Sequence, residues 1–314
     1  MLLKLVPEGT KIPFVNARKI AYVFSVLMII ASFALYFTKG LNFGIDFKGG
    51  YLMEVHTTGP ADIGQIRSLT GGLDLGDVSV QEFGEVDQVL IRLETQEDKT
   101  LEEVVFLVQT ELERGIIDPI SFERTEAVGS VVSGELIQTG IMSVVLAVGA
   151  VLFYIWIRFE WQFGLGAVIA LVHDVILTIG MFSLTQLEFN LSIIAAILTI
   201  VGYSLNDTVV VYDRIRENLR KYRKKELSDL INLSLNETLA RTVMTSLTTL
   251  LALGALFFFG GESIHGFTAA MIWGIFVGTY SSVFIASPVL MWFELRREDD
   301  EADADGHTVP EQFR

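Results

Sequence analysis

The chain has 314 residues, 51% of them hydrophobic, and a mean hydropathy of +0.49. A soluble domain of this size rarely sustains that composition, and the absence of cysteine excludes disulfides and thiolate metal sites. The net charge of -15 is concentrated in two places: 18 Asp and Glu stand against 6 Lys and Arg in residues 40–134, and 8 against 3 in residues 294–314. The acidity belongs to one insert and one tail, so a nucleic-acid partner is not expected.

A bilayer core needs roughly 20 apolar residues in helical form. After a basic N-terminus (residues 1–19), six stretches qualify, at 20–38, 136–157, 163–184, 191–213, 240–259 and 267–293. The first is too long for a signal peptide, and residues 32–40 offer no small-residue cleavage site, so it reads as a retained helix. Lys4, Lys11, Arg18 and Lys19 precede span one, Arg158 lies between spans two and three, the basic run 214–225 lies between spans four and five, and Arg296 and Arg297 follow span six. Six spans put all four groups on one side, which by the positive-inside rule is the cytoplasm, with both termini there. The run 214–225 is either a topology signal or a contact with the anionic inner leaflet.

The opposite, periplasmic side receives the insert, residues 39–134. Strand-like runs at Tyr51–Thr57, Val78–Phe83, Gln88–Glu94 and Ile120–Arg124 alternate with helical spacing at Pro60–Leu69 and Thr100–Leu112. The order strand, helix, strand, strand, helix, strand predicts a ferredoxin-like α+β domain. Gly129–Gly134 reads as the linker back to the membrane. The predicted architecture is therefore an all-α bundle of six transmembrane helices with an inserted periplasmic α+β domain. Residues 135–295 hold spans two to six, with a basic cytoplasmic loop at 214–236, and residues 296–314 form an acidic cytoplasmic tail. Glu188 and Glu262 fall in external turns and read as solvated.

Ionisable residues inside a membrane must be paired, face a cavity or perform a function. Span four carries Asn206 and Asp207 in an otherwise apolar helix, with Asp213 near the cytoplasmic boundary. Low dielectric disfavours a charged carboxylate, so such a group can take up a proton near neutral pH and release it when a cation or water arrives. Asp207 is thus a candidate proton carrier, against the plainer role of a protonated hydrogen-bond donor between helices. Asp213 reads as an interfacial partner of Arg214 or Arg216. Span five opens at Arg241 with a hydroxyl stripe of Thr242, Thr245, Ser246, Thr248 and Thr249, suited to helix contacts or a hydrated path. Arg241 is either the counter-ion of Asp207 or a snorkelling cation. His173 and Asp174 lie roughly 15 Å into span three, as a proton relay or a polar clamp. Gly274 and Gly278 in span six have the spacing for close helix approach, and Pro288 predicts a kink. No metal site, cofactor site, phosphate loop or nucleophile–base pair is apparent, so no enzymatic activity is expected.

The segment Gly44–Gly50, with Gly44, Asp46, Gly49 and Gly50, resembles the motif that follows the first span of the SecD/SecF family. Val201–Asn218, Arg241 with its Thr/Ser stripe, and His173 with Asp174 resemble the same family's fourth, fifth and third spans. The similarity covers about residues 14–295. It implies a protein-export subunit of the resistance-nodulation-division superfamily, six spans being half of such a transporter. The implied partners are SecD, the SecYEG channel, the SecA motor, the translocating preprotein and the lipid of the bacterial inner membrane, with YajC as a further candidate. It also implies that Asp207 and Arg241 couple export to the proton motive force. A proton-coupled small-molecule or lipid exporter of the same superfamily is the alternative, and a non-transporting scaffold a third.

Overall fold

A computed structural model describes residues 7, 9–76, 78–94, 99–261, 264–293 and 295. Lys4, Glu262, Arg296, Arg297 and the acidic tail lie outside the described residues. Six helices among them are long and apolar enough to cross a membrane. They are α1 (Arg18–Lys39), α5 (Ser130–Arg158), α6 (Trp161–Thr185), α7 (Leu191–Lys221), α8 (Leu227–Phe259) and α9 (His265–Ser281). Span six continues from α9 through a π-helical turn, Ser282–Ala286, into α10 (Ser287–Val289) and a final 3₁₀ turn.

The inserted domain follows a short helix α2 (Ile45–Lys48) and runs β1 (Gly50–Thr57), α3 (Ile63–Gly71), β2 (Val78–Phe83), β3 (Glu85–Leu93), α4 (Leu101–Gly115), β4 (Ile120–Val128). The sheet is antiparallel in the order β2-β3-β1-β4, the ferredoxin-like arrangement its element order predicts. Met53, Val55, Val89 and Ile91 point to one face, where α3 brings Ile66 and α4 brings Val104, Val108 and Leu112 at helical spacing. Helix α4 begins on a capping box: the Thr100 hydroxyl accepts from the Glu103 N–H, and the Glu103 carboxylate accepts from the Thr100 N–H. Leu52 and Leu90 point to the other face and pack with Ile45 of α2. The sheet is therefore covered on both sides of its centre, which is why β1 reads as an apolar run rather than a strict alternation.

Spans three, four and six form the centre of the bundle, and spans one, two and five lie around them. Helices α7 and α9 approach closely because Gly274 and Gly278 leave room: a Cβ at Gly274 would strike Ile200, and one at Gly278 would come within 3.0 Å of the Ser204 Cβ. Pro288 has no amide hydrogen to donate to the carbonyl one turn back, and the helix widens over Ser282–Ala286; the Ser282 carbonyl accepts from the Ser287 N–H and, at 2.7 Å, from the Ser287 hydroxyl as well.

Two expectations change. Residues 214–236 are not a loop: α7 runs on to Lys221, α8 starts at Leu227, and only 222–226 turn. At 1.5 Å per residue these helices reach roughly 46 and 50 Å, beyond a ~30 Å core, so they project as a helical hairpin. Their inner faces pack through Leu219, Leu230, Ile231 and Leu235, and hydropathy scanning does not detect such short apolar stripes between charges. Gly129–Gly134 is likewise not a linker, because α5 is already helical at Ser130. The chain before span one is tied to this hairpin: Asn232 and Asn236 accept from the Val15 and Ile12 amides, both at 2.9 Å. The basic groups around residues 11–18, 158 and 214–225 thus share one end of the bundle, and the inserted domain sits at the other.

Candidate functional site: two carboxylate clusters between the spans

The deeper cluster is built on Asp174, which is fully buried. Its Oδ2 accepts from the Ser204 hydroxyl of α7 at 2.6 Å and the Ser281 hydroxyl of α9 at 2.8 Å. Its Oδ1 lies 3.0 Å from Nδ1 of His173. Nε2 of His173 contacts the Ser25 hydroxyl of span one at 3.2 Å, and Ser25 contacts the Tyr280 hydroxyl at 3.0 Å. Tyr280 in turn donates to the Ala21 carbonyl at 3.0 Å. Every member has a partner, as buried polar groups require. Spans one, three, four and six meet at this one hub.

The second cluster is built on Asp207, one helical turn after Ser204. Its Oδ1 accepts from the Thr242 hydroxyl of span five at 2.5 Å, and its Oδ2 accepts from the Ser282 hydroxyl of span six. Ser246 and Thr279 hydrogen-bond beside it at 2.8 Å. The two clusters adjoin: Ser281 serves Asp174 and the next residue, Ser282, serves Asp207. Ser282 opens the π turn, so the Pro288 distortion lies where the two carboxylates are linked.

The structure separates the remaining candidates. Arg241 makes no direct ion pair with Asp207 among the described residues and is exposed; hydroxyls occupy both carboxylate oxygens, and Arg241 acts on Asp207 as a longer-range charge. Asn206 is exposed as well, on the face opposite the packed side of α7. Asp213 pairs with Arg158 at 2.9 Å, not with Arg214 or Arg216, because Arg214 is taken by Glu217 and Glu237. Of the span-five stripe, Thr242 and Ser246 cross to neighbouring helices; Thr245, Thr248 and Thr249 return their hydroxyls to carbonyls of their own helix. Ser25, Ser204, Tyr280, Ser281 and Ser282 are site residues that spacing did not single out. The available sign was the Ser-Ser pair shortly before Pro288.

Glu188 is not a solvated turn residue: it accepts from Arg92 of β3 at 2.6 Å, and Arg92 also donates to Asn42 at 3.0 Å. The Gly44–Gly50 motif forms the adjoining joint. Asp46 accepts from the Leu191 amide at the start of α7, at 2.9 Å. A Cβ on Gly44 would collide with the Glu188 carboxylate, and Gly50, at φ +123, would drive one into the Leu93 carbonyl. The motif is a close-packed joint between span one, the inserted domain and the turn before span four. Because Arg92 and Glu188 are largely buried, a double-mutant cycle with Arg92→Ala and Glu188→Ala should give a coupling of about 1–3 kcal/mol in thermal stability of the purified protein; additive single losses would remove the pair as the fastener.

A six-span bundle with a ferredoxin-like insert after span one, carrying carboxylates between its spans, defines a multi-pass membrane protein. The family described as "Protein export membrane protein SecD/SecF, C-terminal" matches residues 108–296, and the "SecD/SecF GG Motif" matches residues 37–61. A protein named "Protein translocase subunit SecF" from Rhodobacter capsulatus is 48% identical, the match covering 96% of this chain and 94% of that one. Its namesake from Rickettsia felis is 45% identical over 94% and 96%. The crystal structure of SecDF from Thermus thermophilus, described as a translocon-associated membrane protein, superposes with a TM-score of 0.82 at 35% identity, covering 90% of this chain and 39% of that one. SecDF in a "Super-membrane-facing form" superposes at 0.65 and 33%, covering 96% and 40%. The chain belongs to the SecD/SecF family of protein-export membrane proteins, and it spans about two fifths of the length of the SecDF chains it matches.

Proposed function

We propose that the chain is the SecF-type half of a proton-driven accessory unit of the Sec protein translocase, with a SecD-type subunit as its other half. The observation that carries this is the Asp207 carboxylate, held in span four by hydroxyls from spans five and six and joined through Ser281 and Ser282 to a second buried carboxylate. Hydroxyls both donate and accept, so protonation of Asp207 can be answered by rotation of Ser282 and Thr242 without leaving a buried group unpaired. The spans around Asp207 then have two hydrogen-bond arrangements, one per protonation state, and the joint at Gly44–Gly50 is the mechanical link to the inserted domain.

Asn206 and Arg241 support the partner half. Both lie at membrane depth and both face outward, where contact with lipid would cost several kcal/mol. A subunit docked on spans four and five would cover them, and Arg241 would then act on Asp207 across a dry interface. The basic end of the bundle supports cytoplasmic termini, and kinship with the protein-export family supports the bacterial inner membrane. The inserted domain would meet the preprotein leaving SecYEG, with SecA and YajC on the same machinery. The unit does no covalent chemistry of its own. The small-molecule exporter is disfavoured because the insert is a single four-stranded α+β unit.

Membrane vesicles loaded with a translocation intermediate test the reading. A protonophore should slow completion of export in vesicles containing the chain and leave unchanged the slower export of vesicles lacking it. Equal slowing in both would remove proton coupling from this subunit.

A further inference from the structure

The basic end of the bundle holds a cleft of about 530 Å³, lined by Arg158 at the end of span two and by Asp213, Arg216, Glu217, Arg220 and Lys221 on α7. Positions 213, 216, 217, 220 and 221 form one helical stripe. The two acids are engaged: Asp213 holds Arg158 at 2.9 Å, and Glu217 accepts from Arg214, which lies outside the cleft, at 2.6 Å. Arg216 donates to the Arg158 carbonyl at 3.3 Å, which places its guanidinium beside the end of span two. Arg220 has no ion pair among the described residues, and Lys221 rests over the Tyr222 ring. Arg216 and Arg220 thus have no ion pair among the described residues, and Lys221 meets Glu237 only as a longer-range charge.

The depth is informative. Arg216 lies roughly 38 Å along α7 from its start, past a ~30 Å hydrocarbon core and in the headgroup layer. In the turn of helix before Arg158, Tyr154, Trp156 and Ile157 are exposed. Exposed aromatic and apolar residues below a ring of cations are what a phospholipid presents the complement of: acyl chains beneath an anionic headgroup.

We infer that this cleft is a binding site for the headgroup phosphate of an anionic phospholipid, held by Arg216, Arg220 and Lys221. The guanidinium groups match phosphate geometry with paired N–H donors, and the ammonium adds charge. Such a site would clamp the α7–α8 hairpin to the leaflet beside the Asp207 cluster.

The test is native mass spectrometry of the complex purified with its partner subunit, supplied with phosphatidylglycerol or phosphatidylcholine. The wild-type complex should retain phosphatidylglycerol in preference to phosphatidylcholine. Arg216→Gln with Arg220→Gln should lower that retention about 30-fold, or about 2 kcal/mol at ~1.4 kcal/mol per tenfold. Arg220→Gln alone should lower it about 5-fold, which guards against a folding defect in the double variant. Lys224→Gln, outside the cleft, should change nothing. Retention equal in wild type and both variants would overturn the site. Displacement of the lipid by inorganic phosphate at equal excess would overturn the lipid as its occupant. Retention seen only after removal of residues 298–314 would assign the cleft to the acidic tail instead.

Discussion

Asp207→Asn should leave the complex assembled and abolish the gradient-dependent share of export, lowering its rate by about 100-fold or more, the low end for loss of a positioned proton-transfer group. Asn has nearly the volume of Asp. Its carbonyl can accept from Thr242 at the place of Oδ1, and its amide can donate to Ser282, whose hydroxyl turns to accept. The substitution therefore keeps the helix contacts and removes only the titration. Comparing export by wild-type and variant vesicles, with and without a proton gradient, reads the effect. A variant that still responds fully to the gradient would reduce Asp207 to a helix fastener. Ser282→Ala provides a graded companion: Thr242 still holds the carboxylate, so proton response should weaken rather than vanish.

Asp174 should behave in the opposite way. Asp174→Ala removes the shared acceptor of Ser204, Ser281 and His173 at the centre of four spans. Ser204 loses its partner, and His173 and Ser281 each lose one of two; breaking such a buried polar network costs about 3–5 kcal/mol. The expected result is a bundle that unfolds in detergent well below the wild-type temperature and copurifies poorly with its partner half. Asp174→Asn keeps one acceptor and should cost about 1–2 kcal/mol. Thermal aggregation of the purified complex measures both. An alanine variant as stable as wild type would mean that the hub is held by packing alone. The two carboxylates should thus divide: loss of Asp207 should be felt in transport with the fold intact, loss of Asp174 in the fold itself.

The geometry is the reason for that expectation. Asp174 is enclosed by protein on every side. Asp207 lies between the packed core and the outer face that carries Asn206 and Arg241. A carboxylate that exchanges protons needs such a border position. A fully enclosed one can hold helices together and relay polarity between Ser204, Ser281 and His173.

Much of the architecture was legible in the residue order. Hydropathy depends on local composition, and strand and helix periodicities are local too, so the six spans and the βαββαβ insert could be read before any contact was known. The Asp207 carboxylate was equally legible, because an acid in a run such as Val201–Val211 is anomalous wherever its neighbours stand. The basic groups at residues 18, 158 and 214–225 marked one end of the bundle for the same reason.

Partner choice was not legible. Arg241 reads as the counter-ion of Asp207, yet the rotation of α8 sets Thr242 on the carboxylate and leaves Arg241 exposed as a longer-range charge: adjacent helical positions differ by about 100°, and only packing decides which faces the core. Asp213 met Arg158, 55 positions away, instead of a neighbour on its own helix. Glu188 met Arg92 across the joint between insert and bundle. The serines around Asp174 come from three different spans, and a serine in an apolar span carries no strong signal alone. Sequence by itself determined how many times the chain crosses the membrane, what it inserts between spans one and two, and which acid is out of place. Tertiary structure alone decided what that acid touches, because hydrogen bonds form at 2.5–3 Å while periodicity places a side chain only to within a helix face.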